Sequence, residues 1–177
     1  KVYHQNWIND SVNIFEQTFK YSPTSFIAPA YTWNSDIESI VASNGIQGLQ
    51  GIKLQYSPSP LNSSTRLYRK KIHFTGEVNS KSGLIYTNRN VFIEVHSGKQ
   101  MDWENLAMSR ISSLLNAGIP VIISMHRVNF VGRLSTNHRD ESLRILKNVL
   151  KKVTSMYPDI EFLSSDELTL RLRTLID

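Results

Sequence analysis

Side chains that could do acid–base chemistry stand just after the apolar segments of this sequence. His126, Arg127 and Asn129 follow one apolar run, and Glu94 stands at the end of another. Histidine exchanges protons near neutral pH, so His126 is our candidate general acid or base. Arg127 could hold a carboxylate through two parallel hydrogen bonds. A structural hydrogen bond is the alternative role for His126.

An aromatic pair follows a third apolar segment. Tyr31 and Trp33 come shortly after residues 25–29, a short apolar stretch that ends in proline. Aromatic rings beside hydrogen-bonding groups suit a sugar-binding cleft, because a ring covers the apolar C–H face while polar groups bind the hydroxyls. We therefore expect both rings to contact carbohydrate, and packing at the rim of the core is the alternative.

The spacing of the histidines does not indicate a metal site. No two histidines are three or four residues apart, the spacing that places two imidazoles together on one helix face. The five are His4, His73, His96, His126 and His138. No HExxH, phosphate-binding loop, GxGxxG or GxSxG motif occurs. We predict no metal ligands, and ligands that meet from separate strands stay an alternative.

The apolar segments and the turn signals between them predict an α/β fold of mostly parallel strands joined by helices. Strands are expected at residues 25–29, 46–54, 67–75, 90–95, 119–125 and 160–163. Helices are expected at residues 11–20, 36–43, 103–116, 140–156 and 165–175. Residues 119–125 give the clearest prediction of a buried strand, because they form a continuous apolar run before His126. In such folds ligands bind at the carboxyl ends of the strands, where the candidate residues stand.

The composition is that of one globular domain over residues 1–177, with 40% apolar and 20% charged residues. The net charge is +5, but the lysines and arginines are scattered, so we do not expect nucleic acid as a partner. The chain has no cysteine, which excludes disulfides and thiolate metal ligands. No apolar run reaches 18 residues, so we expect a soluble chain without a transmembrane segment, in a compartment the sequence leaves open.

Four segments, taken together, resemble motifs of the polysaccharide deacetylases (carbohydrate esterase family four). Residues 25–33, Ser-Phe-Ile-Ala-Pro-Ala-Tyr-Thr-Trp, resemble the third motif, in which a strand ends in an Arg-x-Pro-aromatic stretch that lines the active site. Residues 101–103, Met-Asp-Trp, resemble the fourth motif, Asp-x-x-Asp-Trp. Residues 122–127, Ile-Ile-Ser-Met-His-Arg, resemble the fifth, an apolar strand that ends in Leu/Ser-x-His. Residues 159–168 resemble the closing strand and helix of the family.

This resemblance implies a distorted (β/α) barrel that removes N- or O-acetyl groups from a sugar polymer. In that family a divalent metal, usually zinc, activates water, an aspartate takes a proton, and the histidine of the fifth motif protonates the leaving group. His126 matches that histidine, and Pro29 and Tyr31 match groove residues. The residues that we expect to contact substrate are Pro29, Tyr31, Trp33, Glu94, Arg127 and Asn129.

The sequence departs from the family in its metal-binding motifs. The first motif, Thr-Phe-Asp-Asp, and the second, His-Ser/Thr-x-x-His, do not occur, Ile27 replaces the arginine of the third, and Lys99 replaces the first aspartate of the fourth. Both missing motifs would precede the first residue. We therefore expect the C-terminal part of a deacetylase barrel, and a member without metal chemistry is the alternative. A barrel without its first strands exposes a sheet edge, so we expect an opened sheet, self-association or a completing N-terminal segment.

Two other functions remain compatible with the sequence. A non-catalytic carbohydrate-binding or interaction domain on the same scaffold would bind glycans through Tyr31 and Trp33 without releasing acetate. A glycosidase needs two carboxylates across one cleft, and Glu94 and Asp166 are its candidates. For Asp166 the alternative role is to stabilise a helix start, where negative charge is favourable.

Overall fold

The computed structural model describes residues 2–58, 69–95, 101–133 and 136–176, which contain both helices and strands. The helices are α1 (Val2–Phe19), α2 (Glu38–Ser43), α3 (Trp103–Asn116), α4 (Thr136–Met156) and α5 (Ser165–Thr174). The strands are β1 (Ser25–Ile27), β2 (Gly48–Gly51), β3 (Leu54–Ser57), β4 (Arg69–Ile72), β5 (Ile85–Asn88), β6 (Val91–Phe92) and β7 (Ile123–Ser124). The predicted α/β class is therefore confirmed.

Contacts divide the chain into two units. Unit 1 is Lys1–Asn88 together with Leu163–Asp177, and unit 2 is Arg89–Phe162. Whether residues 1–177 behave as one domain stays a prediction, and the two units are described separately below.

Unit 1 is built around a parallel sheet of three strands in the order β1-β2-β5. Leu49 in the central strand pairs with Phe26 on one side and with Tyr86 on the other. Strand β5 is buried along its whole length, which explains why its sequence, Ile-Tyr-Thr-Asn, does not alternate between apolar and polar residues. The apolar core of this unit consists of Ala28, Trp33, Val41, Ile46, Leu49, Leu84 and Tyr86. Strands β3 and β4 form a separate antiparallel pair.

Helix α5 packs against this sheet at a glycine. A Cβ atom at Gly48 would lie 2.5 Å from Oγ1 of Thr169, so any larger residue would displace the helix side chain. The helix begins at a capping box. The Ser164 hydroxyl accepts a hydrogen bond from the Glu167 amide at 3.2 Å, and the Glu167 carboxylate accepts one from the Ser164 amide at 2.7 Å. The predicted start of this helix is therefore confirmed.

Unit 2 combines helices α3 and α4 with the two-stranded parallel sheet β6-β7. Helix α3 packs against both α4 and β6, and Asp102 caps it by accepting a hydrogen bond from the Asn105 amide at 3.0 Å. Helix α4 buries Ile145, Val149 and Val153, spaced four residues apart on one face. Each such side chain contributes about 1.5–3 kcal/mol when fully buried, so this row fastens the helix to the core.

The clearest strand prediction was wrong in its extent. Of residues 119–125 only the two in β7 pair with a neighbouring strand, and Ile119 is exposed. The cause is the Asn90 side chain, which donates a hydrogen bond to the Pro120 carbonyl and accepts one from the Ile122 amide, both at 2.8 Å. These bonds satisfy the backbone in place of strand pairing.

Other boundaries also differ from the predictions. In the part of the chain that is described, residues 160–163 form no strand, and Phe162 is 65% exposed because the backbone leads directly into the capping box of α5. Residues 46–54 divide between β2 and β3, and β5 was not predicted. Helices α1 and α4 begin earlier than expected.

No closed barrel is present among the described residues, whose strands form one sheet of three and two sheets of two. The deacetylase-type barrel therefore stays a prediction. No described helix is both long and apolar enough to span a membrane.

Candidate acid–base site

The site in unit 2 forms where the parallel strands β6 and β7 end side by side. Their register pairs Phe92 with Ser124, so the residues two positions further on, Glu94 and His126, emerge next to each other. Nδ1 of His126 lies 2.7 Å from Oε1 of Glu94. A carboxylate only accepts hydrogen bonds, so Nδ1 is the donor, and Nε2 lies on the other side of the ring.

The buried amide of Asn129 holds this pair in place. Directly after His126 the chain makes a 3-10 turn, Arg127–Phe130, which brings Asn129 back beneath the strand ends. Its Nδ2 donates to Oε2 of Glu94 at 3.2 Å and to the carbonyl of His126 at 3.1 Å. Both carboxylate oxygens of Glu94 are thus engaged, one by the imidazole and one by the amide.

Burial decreases outward through the three residues. Asn129 is fully buried, the Glu94 side chain is 16% exposed, and the His126 side chain is 60% exposed. Arg127 is also exposed. An accessible imidazole above a shielded carboxylate can exchange a proton with an outside molecule, while the carboxylate orients the ring.

The aromatic residues that were predicted to contact a sugar lie in unit 1. Pro29 and Tyr31 bound a 3-10 turn in which Ala30 and Tyr31 have φ of 50° and 56°, a left-handed conformation that is uncommon outside glycine. Tyr31 is half-buried. Trp33 is 3% exposed and belongs to the core, which favours the packing role for this ring. Asp166 also lies in unit 1, exposed in the first turn of α5.

Sequence reasoning missed a polar cluster in the core of unit 1. The carboxylate of Glu38, at the start of α2, accepts hydrogen bonds from the Trp33 indole, the Asn79 amide and the Tyr86 hydroxyl. The His73 ring stacks on Tyr86 with ring centroids 3.7 Å apart. Glu38 stands in the stretch Asn-Ser-Asp-Ile-Glu-Ser, which is typical of an exposed helix start, so no local signal marks it as buried.

The metal that the resemblance implies finds no fitting ligands in this part of the chain. Among the described residues no three His, Asp or Glu side chains come together in a way that could hold a metal ion. We therefore derive no catalytic step through a metal. His96 and Lys99 lie outside the described residues.

Comparisons with known proteins give no further identification. The chain matches no family model, no curated protein and no solved structure. What can be proposed for its function therefore depends on the residues and on their geometry.

Proposed function

We propose that this chain is a polysaccharide deacetylase-like hydrolase, built on part of a distorted (β/α) barrel, in which His126 is the general acid. The observation that carries the proposal is the 2.7 Å contact between an exposed imidazole and a shielded carboxylate. The resemblance of residues 122–127 to a motif that ends in a catalytic histidine supports the same role. An exposed imidazole also suits a substituent on a polymer, because the reacting group must be reached from outside.

The chemistry is hydrolysis of an acetyl group. Water adds to the carbonyl carbon and gives up its two protons to the solvent, from which His126 is reprotonated after the reaction, and the bond from that carbon to the sugar nitrogen or oxygen breaks. In the protonated state His126 gives the proton at Nε2 to the departing atom, so that acetate and an amine or alcohol leave. Glu94 keeps Nδ1 protonated and stabilises the imidazolium before transfer. Asn129 fixes the carboxylate so that the ring keeps one orientation.

The test is acetate release from N-acetylated chitin oligosaccharides and from an O-acetylated xylan. We expect His126→Asn to lower turnover about 10²- to 10⁴-fold, the usual contribution of a general acid, with an unchanged thermal unfolding midpoint. The matched control is His4→Asn, because His4 is exposed on α1 in the other unit. Near-normal turnover by His126→Asn would contradict the assignment. Glycan binding without any acetate release by the unmodified chain would instead favour the carbohydrate-binding alternative.

A further inference from the structure

A polar cavity of about 500 Å³ opens beside the start of helix α2 in unit 1. Its walls carry two carboxylates, two lysines and two amides, together with serine hydroxyls. These charged and amide residues are Gln5, Asp36, Glu38, Lys71, Asn79 and Lys81. The volume falls within the range of small-ligand pockets, and the lining calls for a hydrophilic ligand rather than an apolar one.

The Glu38 carboxylate forms a preorganised part of the cavity wall. Glu38 is 2% exposed. Oε2 accepts hydrogen bonds from Asn79 Nδ2 at 2.6 Å and from the Tyr86 hydroxyl at 3.1 Å. Oε1 accepts one, from Trp33 Nε1 at 2.8 Å. An ionised carboxylate offers about four acceptor positions, so this count leaves one position on Oε1 for another donor.

No cation forms a direct ion pair with this carboxylate within the described part of the chain. None of the ion pairs there involves Glu38, and its three hydrogen-bond donors are neutral groups. His73 stacks on Tyr86 but does not supply the charge, because burial lowers its pKa and keeps the ring neutral. A buried carboxylate without a direct ion-pair partner is costly, and a ligand that places a positive charge against it lowers that cost.

We propose that this cavity binds a hydroxylated ligand that carries a primary ammonium group, and that the ammonium donates a hydrogen bond to Oε1 of Glu38. An ammonium is compact and has three donors. The amide of Asn79 and the ammonium groups of Lys71 and Lys81 offer donors to ligand hydroxyl oxygens.

A hexosamine unit with a free amino group is the member of this class that deacetylation of an N-acetylated glycan would generate. The choice of a hexosamine therefore rests on the proposed function, whereas the ammonium class rests on Glu38 alone. The cavity would then bind the product of the reaction and not the acetylated substrate, whose amide nitrogen carries no charge.

The Trp33 indole gives a direct readout, because its N–H is bonded to Glu38. The sequence has three tryptophans, so a ¹H–¹⁵N spectrum has three indole signals. The signal that disappears in the Trp33→Phe variant is that of the Trp33 indole. We expect glucosamine hydrochloride at pH 7 to shift this signal saturably. Glucose and N-acetylglucosamine, with matched sodium chloride, should bind at least about tenfold more weakly. Absence of a saturable shift with glucosamine, or equal binding of the three sugars, would overturn the proposal.

Two matched variants on helix α2 separate binding from folding. Ser39 lines the cavity, whereas Ser43, one turn further on, does not, and both are exposed. We expect Ser39→Leu to weaken glucosamine binding at least about tenfold and Ser43→Leu to leave it unchanged. Glu38→Gln should also abolish glucosamine binding. If that variant does not fold, the comparison of Ser39→Leu with Ser43→Leu still tests the proposal. Equal binding by both serine variants would count against the cavity.

The failure of this proposal can be told apart from the failure of the proposed function. The His126→Asn variant should bind glucosamine like the unmodified chain, although its acetate release is expected to fall about 10²- to 10⁴-fold. Acetate release without glucosamine binding would refute the cavity proposal and leave the proposed function standing. Glucosamine binding without acetate release would refute the proposed function and leave the cavity proposal standing.

Discussion

Each unit of the molecule contains a carboxylate that accepts a hydrogen bond from an asparagine amide, but the remaining partners differ. Glu94 in unit 2 binds the exposed imidazole of His126. Glu38 in unit 1 binds the Trp33 indole and the Tyr86 hydroxyl inside the core. Indole does not titrate, and burial raises the pKa of Tyr86, so neither partner exchanges its proton near neutral pH. The first arrangement suits proton transfer, whereas the second surrounds its carboxylate with groups that keep their protons.

The largest expected difference between the two carboxylates is in stability. Glu38→Leu leaves three donors without an acceptor in or near the core, and we expect it to lower the free energy of unfolding by about 3–5 kcal/mol. Glu94→Leu should cost only about 1–2 kcal/mol, because the exposed His126 ring can bind water instead. Urea unfolding of both variants measures the difference. Equal losses of unfolding free energy in the two variants would contradict the expected difference between the buried and the partly exposed carboxylate.

The converse difference is expected in activity. Glu94→Gln keeps the size of the side chain but removes the charge that stabilises the imidazolium, so we expect acetate release to fall about 100-fold. Its effect on unfolding should stay below about 1 kcal/mol. The control is Glu141→Gln in the same unit, where the carboxylate pairs with Arg144 at 2.7 Å. If Glu94→Gln retains full kcat/KM, the pair does not act in proton transfer.

A smaller effect is expected from pH, and it concerns unit 1. Burial, and next the charge of Lys71, lower the pKa of His73 below its ordinary 6.5. The unfolded chain then binds a proton that the folded chain does not. Stability is therefore full above about pH 6.5 and declines as the pH falls through the lowered folded value.

Urea unfolding midpoints between pH 7.5 and pH 5 measure how steeply stability depends on pH. The other histidines contribute equally to the unmodified chain and to a His73 variant, so the difference between the two reports on His73. His73→Phe should preserve the stacking on Tyr86 and flatten the pH dependence, although it removes the 2.7 Å hydrogen bond to Gln55 at every pH. An unchanged slope in His73→Phe would assign the titration to another group.

The parts of the structure that depend on local signals could be predicted from the sequence. Asp102 and Ser164 mark the starts of α3 and α5, because a capping side chain acts within three residues. The proximity of Glu94 and His126 follows from the rule that parallel strands end at the same edge, even though β6 and β7 are only two residues long. The site in unit 2 was therefore accessible to sequence reasoning.

The parts that depend on distant contacts could not be predicted. Glu38 is buried because Asn79 and Tyr86, which are 41 and 48 residues away, supply its donors. Residues 119–125 look like a long strand, yet the Asn90 side chain replaces most of the pairing. In both cases the local structure depends on a hydrogen bond to a polar side chain that is distant in the sequence. The pattern of apolar residues, on which the sequence predictions were based, does not reveal such a bond.

The packing of α5 on the sheet of unit 1 has a consequence for synthesis on the ribosome. Unit 2 is one continuous stretch and is complete at residue 162. Unit 1 needs Thr169 against Gly48 and the 3.0 Å hydrogen bond from Arg173 to the Gly83 carbonyl, and both side chains are translated after unit 2. Residues 1–88 are therefore translated before unit 2, but they acquire their packing contacts with α5 only after unit 2 has been translated.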